Sequence, residues 1–149
     1  MTIVTRSVRA GHVYQPRLGA TERVHAAGTT LSVTVTHVID PLSRSGAALQ
    51  AGTRAVGVLV GIQNRGPGIY DSSATGDGSV VRSSGTATPV FAAHGVCQTP
   101  LRDFDNYITA GDIRHGCVAF AVGVDARVVA VRFSPHGQSV GRAAWATPG

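Results

Sequence analysis

Residues 111–133, GDIRHGCVAFAVGVDARVVAVRF, constrain the fold more than any other stretch of the chain. Apolar side chains fall on every second position, with Val118, Phe120 and Val122 in a first run and Val129, Val131 and Phe133 in a second. That is the repeat of a strand with one buried face, not of a helix. The stretch predicts two strands joined by a tight turn, the central hairpin of an all-β domain.

The same repeat recurs upstream. Leu31, Val33 and Val35 share one face while Ser32, Thr34 and Thr36 share the other, and Asp40-Pro41 stops the run. A polar loop, LSRSGAALQAG, separates it from a second run with Val56, Val58, Val60 and Ile62 in phase. Residues 65–78 are rich in turn formers, with Ile69 and Tyr70 as the side chains expected to tuck this loop onto the core. Short strands are expected at 80–83 and 89–93, and Leu101, Phe104 and Ile108 are placed to plug one end of the domain. About seven one-sided strands at intervals of roughly 8 to 12 residues predict two packed antiparallel sheets, an immunoglobulin-like β-sandwich, with a small closed barrel as the competing architecture. The organisation expected is a loosely structured basic arm at 1–28 with an edge strand around residues 2–8, a sandwich at 29–135, and a tail at 136–149 anchored by Trp145.

A length of 149 residues suits one domain that buries roughly two-thirds of the surface of its unfolded chain. Helix formers are scarce: there is one glutamate, and all 13 basic residues are arginine. This arginine bias is attributed first to a GC-rich genome. The net charge of +5 concentrates in one place, where Arg6, Arg9, Arg17 and Arg23 crowd the arm and Glu22 is its sole acid. No aromatic interleaving or binding motif accompanies these charges, so the arm is read as solvated and nucleic acid is not an expected partner. No apolar run reaches the ~20 residues of a membrane-spanning helix, and the first residues lack a signal-peptide core.

Two motifs that suggest chemistry fail on context. Gly137-Gln138-Ser139-Val140-Gly141 matches a nucleophile elbow, but that elbow needs a βαβ setting with an acid and a histidine later in the chain. Neither follows it, so Ser139 is read as part of a tail loop and no enzyme is expected. Asp103, Asp105, Asn106 and Asp112 offer oxygens to calcium, yet the spacing lacks the central glycine of an EF-hand loop, and hydrogen-bonded loop acids are the expectation.

Several segments, in this order, resemble a known family: LSVTVTHVIDP, RAVGVLVGIQNRG, HGVCQTPL, ITAGDIRHGCVAFAV and VVAVRFSP. Over about residues 24–135 the chain resembles the actinobacterial family of exported immunoglobulin-like β-sandwich domains, the family of the mycobacterial immunoprotective secreted antigens. Asn64-Arg65-Gly66 corresponds to a strand-ending Asn-x-Gly, and Gly111 through Phe120 to a Gly-x-x-x-x-Gly-x-Val-x-Phe motif. The resemblance implies the sandwich fold and an extracellular or cell-envelope setting, and it implies no reaction. Because no export signal opens these residues, a mature or truncated part of an exported protein and a protein that is never exported both stand as expectations.

The even cysteine count and the exported resemblance together point to a disulfide between Cys97 and Cys117, for which chain-entropy reasoning gives about 3 kcal/mol; a pair of buried thiols is the alternative. On the strand phase such a bridge tethers the chain to the outer side of its sheet. A different reading joins His94, Cys97, His115 and Cys117 as a four-ligand zinc set. The spacing is not that of a zinc knuckle or ribbon, and His12, His25 and His37 show that histidine is common here. No cofactor is expected. The function expected is a non-catalytic exported domain contacting a protein or cell-envelope component. A His/Cys metal site or small enzyme, and a structural or decoration module of a larger assembly, are the alternatives.

Overall fold

A computed structural model of the chain describes residues 16–26, 28–41, 51–71, 78–82, 87–88, 107–135 and 143–148. Among these residues the regular elements are all strands. In chain order they are β1 (Thr21–Ala26), β2 (Thr29–Ile39), β3 (Thr53–Asn64), β4 (Tyr70–Asp71), β5 (Gly78–Arg82), β6 (Ala87–Thr88), β7 (Tyr107–Ile108), β8 (Ile113–Gly123), β9 (Val128–Phe133) and β10 (Ala143–Ala146). One antiparallel sheet runs β1-β2-β3-β8 and the other β10-β9-β5-β6, with β4 and β7 forming a separate two-stranded ribbon. The protein is an immunoglobulin-like β-sandwich. Its β2, β3 and β8 take the positions of strands A, B and E, and β5, β9 and β10 those of C, F and G; β1 is added outside A and β6 outside C.

The core forms where the alternating apolar faces meet. Leu31, Val33 and Val35 of β2, Val56 and Ile62 of β3, and Phe120 and Val122 of β8 are buried against Val80, Val131, Phe133 and Trp145 of the opposite sheet. The Tyr70 and Phe133 rings meet at a centroid distance of 6.4 Å, tilted by 54°. Trp145 is fully buried and its indole Nε1 donates to the carbonyl of Ala20 at 2.8 Å. The segment before β1 pairs with β10 through Arg17 and Ala146 and then reaches the first sheet, where the Gly19 amide donates to Val35 at 2.7 Å. That crossing ties the two sheets together along one side.

The 111–133 stretch is not a hairpin. β8 pairs with β3 from Thr53↔Gly123 to Gln63↔Ile113, whereas β9 lies between β5 and β10, so residues 124–127 carry the chain from one sheet to the other. Alternation shows that each run has a buried face; here the two faces oppose each other across the core instead of lying side by side. A bulge between Val128 and Ala130 also changes the phase of β9, so that Val128 joins Val131 and Phe133 in the core and Val129 is half-buried. The sheet begins earlier than position 29, since β1 falls within the segment read as a loose arm. Of the loop anchors, Tyr70 is buried and Ile69 is 52% exposed. The 2–8 strand, Leu101 and Phe104 lie outside the described residues.

Two polar side chains of β3 fix its ends. Arg54 forms a bidentate ion pair with Asp40, Nε to Oδ1 at 2.6 Å and Nη2 to Oδ2 at 2.9 Å, and its Nη1 donates to the carbonyls of Gly123 and Val124. The Asp40 hydrogen bond raises the Arg54 pKa above its ordinary value. One guanidinium thus joins the ends of β2, β3 and β8. At the other end Asn64 is fully buried: Nδ2 donates to the carbonyls of Gly68 (2.8 Å) and Ile108 (2.7 Å), and Oδ1 accepts from Thr29 Oγ1 (2.5 Å) and the Gly66 amide (3.2 Å). Its backbone carbonyl accepts from Gly111, in a turn where Asp112 N donates to Thr109 O at 2.9 Å and Gly111 takes a φ of 84°, as the third residue of a type II turn requires.

Removing the Asn64 carboxamide strands several buried partners, so Asn64→Ala is expected to cost about 3–4 kcal/mol. Asn64→Asp is expected to destabilise as well, because a carboxylate offers no hydrogen to the two carbonyls that Nδ2 serves. Urea unfolding followed by the fluorescence of Trp145, the one tryptophan of the chain, measures both; wild-type midpoints would show that the network is dispensable.

Candidate functional site

Paired residues of an antiparallel sheet point to the same side, so register maps the outer face of β1-β2-β3-β8 row by row. One row runs Arg23, Ser32, Gln63, Ile113, and the next runs Thr21, Thr34, Gly61, His115. Beyond them Thr36 is the extra residue of a bulge in β2, and its hydroxyl donates to the carbonyl of Leu59 at 3.4 Å. Apart from Arg23, which stands beside it on β1, these rows line an open groove of about 490 Å³ together with Thr36 and Arg65, just past β3. Its sides are hydroxyls, the Gln63 amide, the Arg65 guanidinium and the His115 imidazole, with Leu59, Val60 and Ile113 as the apolar lining. Among the described residues no carboxylate lines it.

Polar groups of the face are partly engaged with each other. Thr21 and Thr34 share a hydrogen bond at 2.7 Å, Arg65 Nη1 donates to Gln63 Oε1 at 3.3 Å, and His25 Nδ1 lies 3.4 Å from the Thr30 hydroxyl. The imidazole of His115 rests on the backbone of Gly61: a Cβ built there would lie 2.8 Å from Cδ2 and 3.2 Å from Nε2. Glycine at 61 therefore makes room for the ring on the floor of the groove. Between the sheets, Val58, Val118, Phe120 and Val131 among others line an apolar void of about 20 Å³, which offers almost no polar partner to a trapped water.

The residues singled out from sequence are distributed unevenly. His115 is exposed and lines the groove. Cys117 shares its strand phase but is 5% exposed, and Ala119 beside it is 4% exposed, so that end of the face is closed to solvent. His94 and Cys97 lie outside the described residues, and among the described residues no three of His, Cys, Asp or Glu gather as metal ligands would. Asp112 is paired with Arg114 at 3.1 Å, while Asp103, Asp105, Asn106 and Ser139 lie outside the described residues. What sequence reasoning missed is the groove itself. Its signal was present in Ser32, Thr34 and Thr36, but only register joins them to Gln63 and His115.

This combination, a packed all-β sandwich with a polar sheet face, defines the class of protein. No protein-family model matches the chain, and no characterised protein matches it in sequence. In fold it is similar to MPT63, a secreted protein from Mycobacterium tuberculosis, with a TM-score of 0.60, 12% identity, and coverage of 89% of this chain and 96% of that one. It also matches an uncharacterised β-sandwich protein from Clostridium difficile 630 with a TM-score of 0.47 and 9% identity, over 89% of this chain and 94% of that one. Among the described residues no helix is long and apolar enough to cross a membrane.

Because the atoms displaced by a Cβ at position 61 belong to a movable side chain, Gly61→Ala is expected to fold with a Tm within a few degrees of wild type while lifting His115 from the groove floor. The ring proton shifts of His115 report the displacement. A large loss of Tm would mean that the imidazole is held in place more firmly than this contact implies.

Proposed function

We propose that this chain is a non-catalytic binding domain that acts outside the cytoplasm, and that its binding face is the outer groove of β1-β2-β3-β8. The observation that carries the reading is the groove: hydrogen-bonding side chains from all four strands converge on one rigid concave surface. Among the described residues the gap between the sheets, about 20 Å³, is too small for a ligand, and the groove is the place that offers polar contacts. Export is supported by the sequence resemblance and agrees with the secreted character of the MPT63 protein of similar fold. A Cys97–Cys117 disulfide belongs to the same proposal, since the Cys117 sulfur lies on the outer phase of β8 in a part of the face closed to solvent.

Thr34 sits in the middle of the face, half-buried, and an arginine there would project into the groove. The wild-type chain is expected to co-sediment with envelope fragments of an actinobacterium, and Thr34→Arg, folded by circular dichroism, to lose most of that retention. Equal retention by the two would remove the face from the reading. For the disulfide, denatured unreduced protein should resist alkylation and weigh two hydrogens less than its reduced form. Alkylation of both cysteines would set the bridge aside.

A further inference from the structure

We infer that the groove takes an acidic polysaccharide, a reading that rests on the binding-face proposal and names its ligand class. Charge is the first argument. Arg65 lines the groove, and Arg23 faces the same side next to Ser32. Of the described acids nearest it, Asp40 pairs with Arg54 and Asp112 with Arg114, while Glu22 sits on the opposite phase of β1, in register with Val33; none of the three lines the groove. Among the described residues one arginine therefore lines the groove and a second stands beside it, with no lining carboxylate, which favours an anion and disfavours a basic peptide or a metal ion.

The second argument is the lattice between the cations. Ser32, Thr34, Gln63 and Thr21 present donors and acceptors at strand spacing, about 4.8 Å across the sheet, which matches a chain of hydroxyl-bearing units better than one small ion. Neutral sugars are commonly held by stacking on aromatic rings, and among the described residues none lines this groove: Tyr70, Phe120, Phe133 and Trp145 are all in the core. Recognition by the described lining rests on charge and hydrogen bonds. A concave groove does not meet a flat bilayer, and two arginines are too few to hold nucleic acid at physiological salt.

The test uses the 149-residue chain with polygalacturonate and dextran sulfate as acidic probes, and fully methyl-esterified polygalacturonate and dextran as neutral counterparts. Binding to at least one acidic polymer and to neither neutral one is expected. Arg23→Gln/Arg65→Gln should weaken it about tenfold or more, whereas Arg17→Gln/Arg127→Gln, which removes two exposed charges outside the groove, should leave it within about twofold. Amide shifts on titration should centre on residues 32–34, 61–65 and 113–115. Equal loss in both double variants would reduce the effect to net charge and overturn the proposal. Equal binding of the neutral polymers, or tighter binding of anionic phospholipid vesicles or duplex DNA through the same arginines, would overturn it in favour of those ligands. If neither acidic polymer binds while Thr34→Arg still loses envelope retention, the ligand class falls and the binding face stands; if Thr34→Arg retains it too, both fall.

Discussion

The buried carboxamide of Asn64 is the interaction on which the arrangement of the first sheet depends. It ends β3, and from that one position it holds the start of β2 through Thr29, the loop after β3 through Gly66 and Gly68, and the β7 backbone through Ile108. The main chain adds two more ties, since Asn64 N donates to Asp112 O at 2.9 Å and Gly111 N to Asn64 O at 2.8 Å. These lie where the chain enters β8. A buried amide with every hydrogen and lone-pair direction engaged stiffens its surroundings, whereas a half-satisfied one would be a liability. The glycines beside it are part of the same device. A Cβ at Gly66 would fall 2.5 Å from Thr29 Oγ1 and 2.6 Å from the Thr30 amide, and one at Gly68 would collide with the Gly28 carbonyl. The loop can approach β2 this closely only with hydrogen in both places.

Arg54 does comparable work at the opposite end of β3. A strand that pairs with β8 from Thr53 to Gln63 and with β2 from Gly57 to Asn64, and is pinned at each end by its own polar side chain, has little freedom to slip in register. Register in turn composes the outer face. A slip of one residue between β3 and β8 would turn His115 and Ile113 inward and bring Arg114 out. The groove is thus a consequence of the two polar anchors even though neither Asn64 nor Arg54 lines it.

This division explains what was legible in the sequence. Side-chain alternation reports which residues of one strand share a face, so the buried phases of β2, β3 and β8 were readable from Leu31, Val56 and Phe120 outward. Pairing partners are not encoded in alternation, and for that reason 111–133 looked like a hairpin although its strands belong to different sheets. The bulge at Val129 shifts phase with no glycine to mark it. β1 was hidden because Val24 is the one fully buried side chain in TERVHA, and β10 because a four-residue strand is recognisable only by Trp145. The Asn-x-Gly stretch read as a sequence motif of the resemblance proves to be a packing joint, with the amide and the glycine in direct hydrogen-bonded contact. The groove was less legible still, since serines and threonines on the outward phase look like any solvated strand until three partners are laid beside them.

The composition of the face also bears on how an outer sheet of this kind avoids self-association. β1 is an edge strand among the described residues, and an edge presents unpaired backbone groups to any other chain. It carries Glu22, Arg23 and His25 within six residues, which makes it a poor template for a second copy. Arg23 therefore has two physical roles that pull in one direction. It keeps the edge of the sheet soluble, and it places a fixed charge beside the hydroxyl rows. A charge that discourages strand pairing at the edge attracts a polymer of negative charge on the outer face, where Arg65 adds to it, with hydrogen bonds to Ser32, Thr34 and Gln63 left to distinguish one acidic chain from another. The link between solubility and ligand choice lies in that shared charge, set into the sheet by a register that Asn64 and Arg54 hold from its two ends.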